Sequence, residues 1–193
     1  MRPYLKNIFL LCLLPLLFAC EGLMRNAETP RNPAGDHFIP PTNPGIVFQN
    51  LENAFHYRES TIYNRCFADS LTSGKNYRFE PAMVKAVVFP PGWTVNDEEQ
   101  YFQQLLAACH SDSLLSLTIT DDEIPGSDEG DSIAYQINYN IIARHNRQGV
   151  DKIFNGQSHI KLVRNNHNYW VIYYWQDMAL SSDATWSDLK TFF

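Results

Sequence analysis

The sequence predicts an α+β domain in which a long N-terminal helix and shorter helices pack on a curved antiparallel sheet. Two observations predict it. Between Phe48 and Cys109 apolar residues recur every three or four positions, the spacing of a helical face. From Leu115 onward they alternate with polar ones, the spacing of a half-buried strand.

The helical part opens at "TNPGIVFQNLENAFHYRESTIYNRCF". Asn43 can cap a helix, and Pro44 suits its first turn, where a missing N–H costs nothing. Phe48, Leu51, Phe55, Arg58, Ile62 and Cys66 then fall on one face. Arg58 is the odd member: either its stem packs while its head reaches water, or its cation lines a pocket. "KNYRFEP" reads as a short strand. "PPGWTVNDEEQYFQQLLAAC" reads as a turn and a helix, with Asn96 and Glu99 as a capping box and Tyr101, Leu105 and Ala108 as the buried stripe.

The strands follow. "SLLSLTIT" alternates Leu115, Leu117 and Ile119, and "AYQINYNIIA" alternates Tyr135, Ile137, Tyr139 and Ile141. "SHIKLVR" and "YWVIYYW" flank "NNHN", a hairpin turn. The last strand is apolar on both faces, so it should be central or covered on both sides. "TWSDLKTFF" reads as a short helix with Thr185 as its cap.

Ahead of the domain, Arg2 and Lys6 precede an uncharged apolar run from Ile8 to Phe18, the layout of a secretory signal. The run is about half the roughly 20 residues that span a bilayer. Its end, Leu17-Phe18-Ala19-Cys20, resembles the lipobox of bacterial lipoproteins. That resemblance implies that Cys20 takes a diacylglycerol on its sulfur, carries palmitate-type acyl chains and becomes the new N-terminus. It implies a chain held at the membrane of the bacterial envelope, outer ahead of inner, since each buried methylene contributes about 0.8 kcal/mol. Residues 1–19 are then a signal peptide, 20–41 the lipidated cysteine and a proline-rich tether, and 42–193 the domain.

Fifteen Lys and Arg stand against 21 Asp and Glu, a formal charge of −6, with no basic stripe. That argues against nucleic acid as a partner and against electrostatic attachment to anionic lipid. The expected partners are the membrane, through the lipid, and a small ligand or an envelope protein.

A further resemblance rests on two stretches. Asn50-Leu51-Glu52-Asn53-Ala54-Phe55-His56-Tyr57-Arg58 and Trp170-Val171-Ile172-Tyr173-Tyr174-Trp175-Gln176-Asp177 resemble a first-helix and a last-strand pattern of bacterial lipoproteins of unknown function, and Trp186 before Leu189-Lys190 matches a late tryptophan. With the element order, they resemble a nuclear-transport-factor-2-like domain, the ketosteroid-isomerase-like or cone fold. The resemblance implies a pocket between helix and sheet. In the enzymes of that fold a carboxylate there is the general base, with tyrosine or a second acid as oxyanion donor.

No cofactor is implied. The six histidines show no zinc spacing, and "DDEIPGSDEGDS" lacks the order of an EF-hand and reads as a solvated hairpin loop. No nucleophile elbow, dinucleotide fingerprint or P-loop is present. Cys66 and Cys109 are either bridged or free, buried hydrophobes.

The pocket candidates are Arg58, Tyr135, Tyr139, Tyr173, Trp175 and Asp177. Strict alternation puts Val171, Tyr173, Trp175 and Asp177 on one face and Trp170 on the other. Asp177 is either a pocket acid or a structural partner, and the expected partner is Arg58, in a buried or half-buried ion pair. The favoured function is a non-catalytic ligand- or protein-binding module. The alternative is an isomerase- or dehydratase-type enzyme with a carboxylate in the cone. A dry interior plugged by aromatic side chains would favour the first in its partner-binding form, and an acid with a raised pKa deep in the cone would favour the second.

Overall fold

The computed structural model describes residues 37–82, 89–123, 132–181 and 183–193, with the backbone alone at 121–123. These lie in the second of two units, Ala34–Phe193, the first being Met1–Pro33. The signal peptide, Cys20, the tether as far as residue 36 and the acidic run over 124–131 lie outside the described residues. Among the described residues no helix is long and apolar enough to cross a membrane.

Helix α1 runs from Pro44 to Tyr57, and Asn43 caps it by accepting from the Ile46 N–H at 3.3 Å. It stops where the apolar stripe does not. Arg58 takes a left-handed conformation, φ 59° and ψ 43°, and its N–H returns to the Ala54 carbonyl. The stripe resumes in α2, Ser60–Asn64, so one expected helix is two. A left-handed arginine is strained. Its guanidinium offsets this by donating to the carbonyls of Cys109 (3.1 Å) and Ser113 (2.5 Å). Cys109 closes a later helix, so the cation also meets the negative end of a helix dipole.

Helix α3, Ser70–Ser73, is capped by Asp69 and ended by Gly74 at φ 67°. Strand β1, Arg78–Glu80, follows. Helix α4 spans Val95–Ala108 and is capped by Thr94 with Asp97, not by Asn96 with Glu99. The Thr94 N–H reaches the Asp97 carboxylate at 2.7 Å, which puts the cap two residues before the expected one and starts the helix at Val95. Strands β2 (Leu115–Glu123), β3 (Ser132–Ala143), β4 (Ile153–Arg164) and β5 (Trp170–Met178) form antiparallel hairpins, and α5 spans Trp186–Phe192. β2 runs on through Glu123, so the acidic run begins in strand rather than in loop.

The sheet order is β1-β5-β4-β3-β2. β1 pairs with β5 in parallel, whereas the β2–β3, β3–β4 and β4–β5 pairs are antiparallel. β5 is flanked on both edges, as its apolar faces require, and Ala68 covers Val163 and Val171 on the face away from the main core. A bulge interrupts β4 and β5: Lys161 faces Tyr174 while Leu162 faces Ile172, leaving Tyr173 extra. Alternation therefore resets. Trp170, Ile172 and Trp175 all enter the main core, whereas strict alternation had parted the two tryptophans. Tyr173 instead lies with Val163 and Val171.

Among the described residues, those just ahead of Thr42 also pack. Phe38 is buried under the Arg65 guanidinium, 3.5 Å from the ring centroid. Asn50, itself buried, accepts from the Ile39 N–H (2.9 Å) and donates to its carbonyl (2.7 Å). The Trp170 N–H reaches the Pro41 carbonyl at 2.9 Å. Phe38→Ala should therefore cost about 3–5 kcal/mol in chemical denaturation, the usual cost of emptying a buried phenylalanine site. A cost below about 0.5 kcal/mol, that of a surface change, would show that the segment does not dock.

Candidate functional site

Helix α5 is pulled into the space between α1, α4 and the sheet. Thr185 and Asp188 form its capping box, with the Thr185 N–H on the Asp188 carboxylate at 2.8 Å. Every residue from Ala184 to Lys190 is buried. The Trp186 ring lies 4.5 Å from Trp175 and 5.7 Å from Phe55, both edge to face. Its indole N–H donates to the Tyr101 hydroxyl at 3.1 Å.

Next to Trp186, α5 delivers a cation. Lys190 and Glu98 are both 0% exposed, with Nζ 2.5 Å from Oε1. Glu98 takes three further donors: Tyr63 at 2.8 Å, Tyr77 at 2.6 Å and the Trp93 indole at 2.8 Å. The ammonium sits 3.6 Å from the ring centroid of Phe79 and 4.5 Å from that of Trp175. Burial holds the Lys190 pKa below its ordinary value, and Glu98 opposes that shift. Burial first, and then the Glu98 charge, push Tyr63, Tyr77 and Tyr101 well above theirs.

The second buried acid is Asp177. Its Oδ1 accepts from Tyr139 (2.6 Å) and Ser158 (3.4 Å). Its Oδ2 accepts from the Ser187 N–H (2.7 Å) and hydroxyl (2.5 Å). From β5 this carboxylate faces the first turn of α5, the positive end of that helix. Tyr139 also accepts the Trp186 N–H at 2.8 Å, and the Trp175 indole donates to Ser158 at 2.9 Å. Gly156 makes this possible: a Cβ there would strike the Tyr139 hydroxyl and stand 2.9 Å from the Met178 carbonyl.

Of the six pocket candidates, the structure brings together Asp177, Tyr139 and Trp175. Arg58 holds the Cys109 and Ser113 carbonyls, so the expected Arg58–Asp177 ion pair does not form. The helix break at Arg58 turns its side chain towards the end of α4, and Asp177 has its donors from α5 and the sheet. Tyr135 packs on Phe48, 5.3 Å away, and the bulge carries Tyr173 out of the main core towards Lys75, at 5.5 Å. Cys66 and Cys109 are free buried thiols, not a disulfide. The Cys66 thiol lies 3.4 Å from the Ile62 carbonyl, and burial pushes its pKa up. Among the described residues no group of three or more His, Cys, Asp or Glu could hold a metal.

Glu98, Lys190 and Ser187 escaped the sequence reading. Glu98 stands one turn before Tyr101 on the same stripe, which was its signal: a carboxylate in register with an apolar face. Outside this closed interior, a cleft of about 420 Å³ opens on the surface between the starts of α3 and α4, floored partly by Tyr77.

No family model matches this chain, and no curated protein does. Solved structures do. A candidate aromatic ring hydroxylase from Novosphingobium aromaticivorans is 12% identical, with 74% of this chain and 91% of that one covered and a TM-score of 0.53. The Kfla4162 protein from Kribbella flavida is 14% identical, with 75% and 91% covered and a TM-score of 0.51. At such identities the likeness shows the fold alone, an α+β cone.

Lys190→Met should cost about 3–5 kcal/mol, because it strands a buried carboxylate. Lys190→Met with Glu98→Gln should cost less than the sum of the two single changes, and additivity in chemical denaturation would show that the charges do not couple. Stability should also fall as pH rises above about 10, where phenols of the unfolded chain ionise. Tyr63, Tyr77, Tyr101 and Tyr139 have raised pKa values in the fold, so above that pH the folded state holds more protons than the unfolded one. Lys190 acts in the opposite sense, one group against four. Denaturation midpoints that rise between pH 10 and 11 would contradict this.

Proposed function

We propose that this chain is an envelope lipoprotein, anchored through Cys20, whose cone domain is a non-catalytic binding module for a small ligand or an envelope protein. The occupied interior carries the reading: α5 fills it with Trp186, Leu189 and Lys190, each 2% exposed or less. A general base needs a lone pair open to substrate. Asp177 has two donors on each oxygen, and Glu98, fully buried, has three on Oε1 and Tyr63 on Oε2. The hydroxyls of Tyr63, Tyr77 and Tyr139, which could serve as oxyanion donors, point at these same carboxylates. The isomerase or dehydratase alternative would require α5 to move so that a substrate could reach one of these acids. The anchor rests on the basic start, the short apolar run and Leu17-Phe18-Ala19-Cys20.

Metabolic labelling with a tagged fatty acid should mark the protein, and Cys20→Ala should abolish the mark; a mark that persists in the variant would remove the lipoprotein reading. Small polar compounds screened by NMR should bind at the surface and be recovered unchanged. Turnover that disappears in a folded Asp177→Asn or Glu98→Gln variant would establish the enzyme instead.

A further inference from the structure

The surface cleft has the chemistry of a second kind of site. Its floor is apolar: Ala68 and Tyr77 are buried and Val95 half-buried. Its rim is polar and exposed: Asp69, Ser70, Asn76, Thr94 and Asn96. We propose that this cleft binds an uncharged saccharide unit. The proposal rests on the reading of the chain as a binding module and names the class of ligand.

Size comes first. At about 420 Å³ the cleft lies within the roughly 300–1,000 Å³ of small-molecule sites, with room for one or two sugar rings.

The floor and the rim fit the two chemistries of a sugar. A pyranose has C–H faces that want a flat apolar surface. Tyr77 contributes ring carbon to the apolar floor beside Ala68 and Val95, its hydroxyl being turned inward to Glu98 at 2.6 Å. The ring is held in place by Phe67, edge to face at 4.9 Å. A sugar also carries hydroxyls that donate and accept at once. A side-chain amide offers both roles, two donors and an acceptor. Among the described residues the amides of Asn76 and Asn96 and the Ser70 hydroxyl make no side-chain hydrogen bond, so they are available.

Charge decides against phosphorylated or carboxylated ligands. Two helices start at the cleft, and a helix start would favour an anion. Here the protein's own carboxylates hold those positions: Asp69 accepts from the Leu71 N–H at 3.1 Å, and Asp97 from the Thr94 N–H at 2.7 Å. No lysine or arginine lines the cleft. Lys75 and Arg78 flank Asn76 and Tyr77 in sequence; the Lys75 ammonium lies 5.5 Å from the Tyr173 ring centroid and the Arg78 guanidinium 2.6 Å from the Glu80 carboxylate. Among the residues that line the cleft an incoming anion would meet the Asp69 carboxylate and no cation.

The test is a titration of the isotope-labelled protein followed by NMR, with glucose and N-acetylglucosamine as probes and glucose 6-phosphate as the charged control. Saturable shifts should be confined to residues 68–70, 76–77 and 94–96, with the phosphate ester the weakest ligand. Asn76→Ala with Asn96→Ala should weaken binding roughly tenfold, the loss of two hydrogen bonds, and leave the melting temperature unchanged because both side chains are exposed. Neutral sugars without a saturable effect, shifts elsewhere, an equal effect of the phosphate ester, or full binding by the double variant would each overturn the proposal. If sugars fail while another small molecule moves the same resonances, the binding-module reading stands and the saccharide assignment falls.

Discussion

Glu98 and Lys190 are 92 residues apart in sequence and meet with no exposure to water. Moving either charge into a protein interior costs several kcal/mol, and their mutual attraction repays this only where every remaining hydrogen-bonding group is also satisfied. Tyr63, Tyr77 and Trp93 satisfy the carboxylate, while Phe79 and Trp175 turn ring faces to the ammonium. None of these groups could be buried well without the others. Helix α5 must dock for Glu98 to find its cation, and α4 must be in place for Lys190 to find its anion. The pair therefore couples the chain's first half to its last helix as one unit.

Asp177 repeats the arrangement at the other end of α5. There the helix is held by its N-terminal N–H groups rather than by a cation, and two backbone irregularities make the meeting possible. The bulge at Tyr173 resets β5 so that Trp175 shares the core with Trp170. The missing side chain at Gly156 lets the Tyr139 ring lie across β4, with its hydroxyl between Asp177 and the Trp186 N–H. With any side chain at residue 156, Tyr139 would be displaced, leaving Asp177 and the first turn of α5 each short of a partner.

Features decided within a few residues were legible in the sequence. Asn43 and Thr185 cap the helices that they precede, and the alternation in β2 and β3 gives the right buried faces. Features decided by a partner far along the chain were not. A bulge belongs to two strands at once, so the pattern of β5 alone cannot show it. The helix break at Arg58 depends on carbonyls about 50 residues away, at Cys109 and Ser113. Thr94 and Asn96 are both competent caps, and local spacing did not choose between them. Helix α5 is buried nearly all round, so it has no amphipathic period that would mark Lys190 as an inward residue.

A cone fold offers a concave interior, and what fills it governs the chemistry that the fold can host. Here it is filled by the chain itself, with a buried ion pair and two buried acids that each accept from four donors. An acid in such a place stabilises the fold, and a substrate would reach it only by displacing α5. Catalysis in this interior would then be paid for in fold stability at every turnover. Binding at the surface carries no such cost. The cleft at the starts of α3 and α4 shares only Tyr77 with the buried network, so it can be filled and emptied while both carboxylates keep their partners.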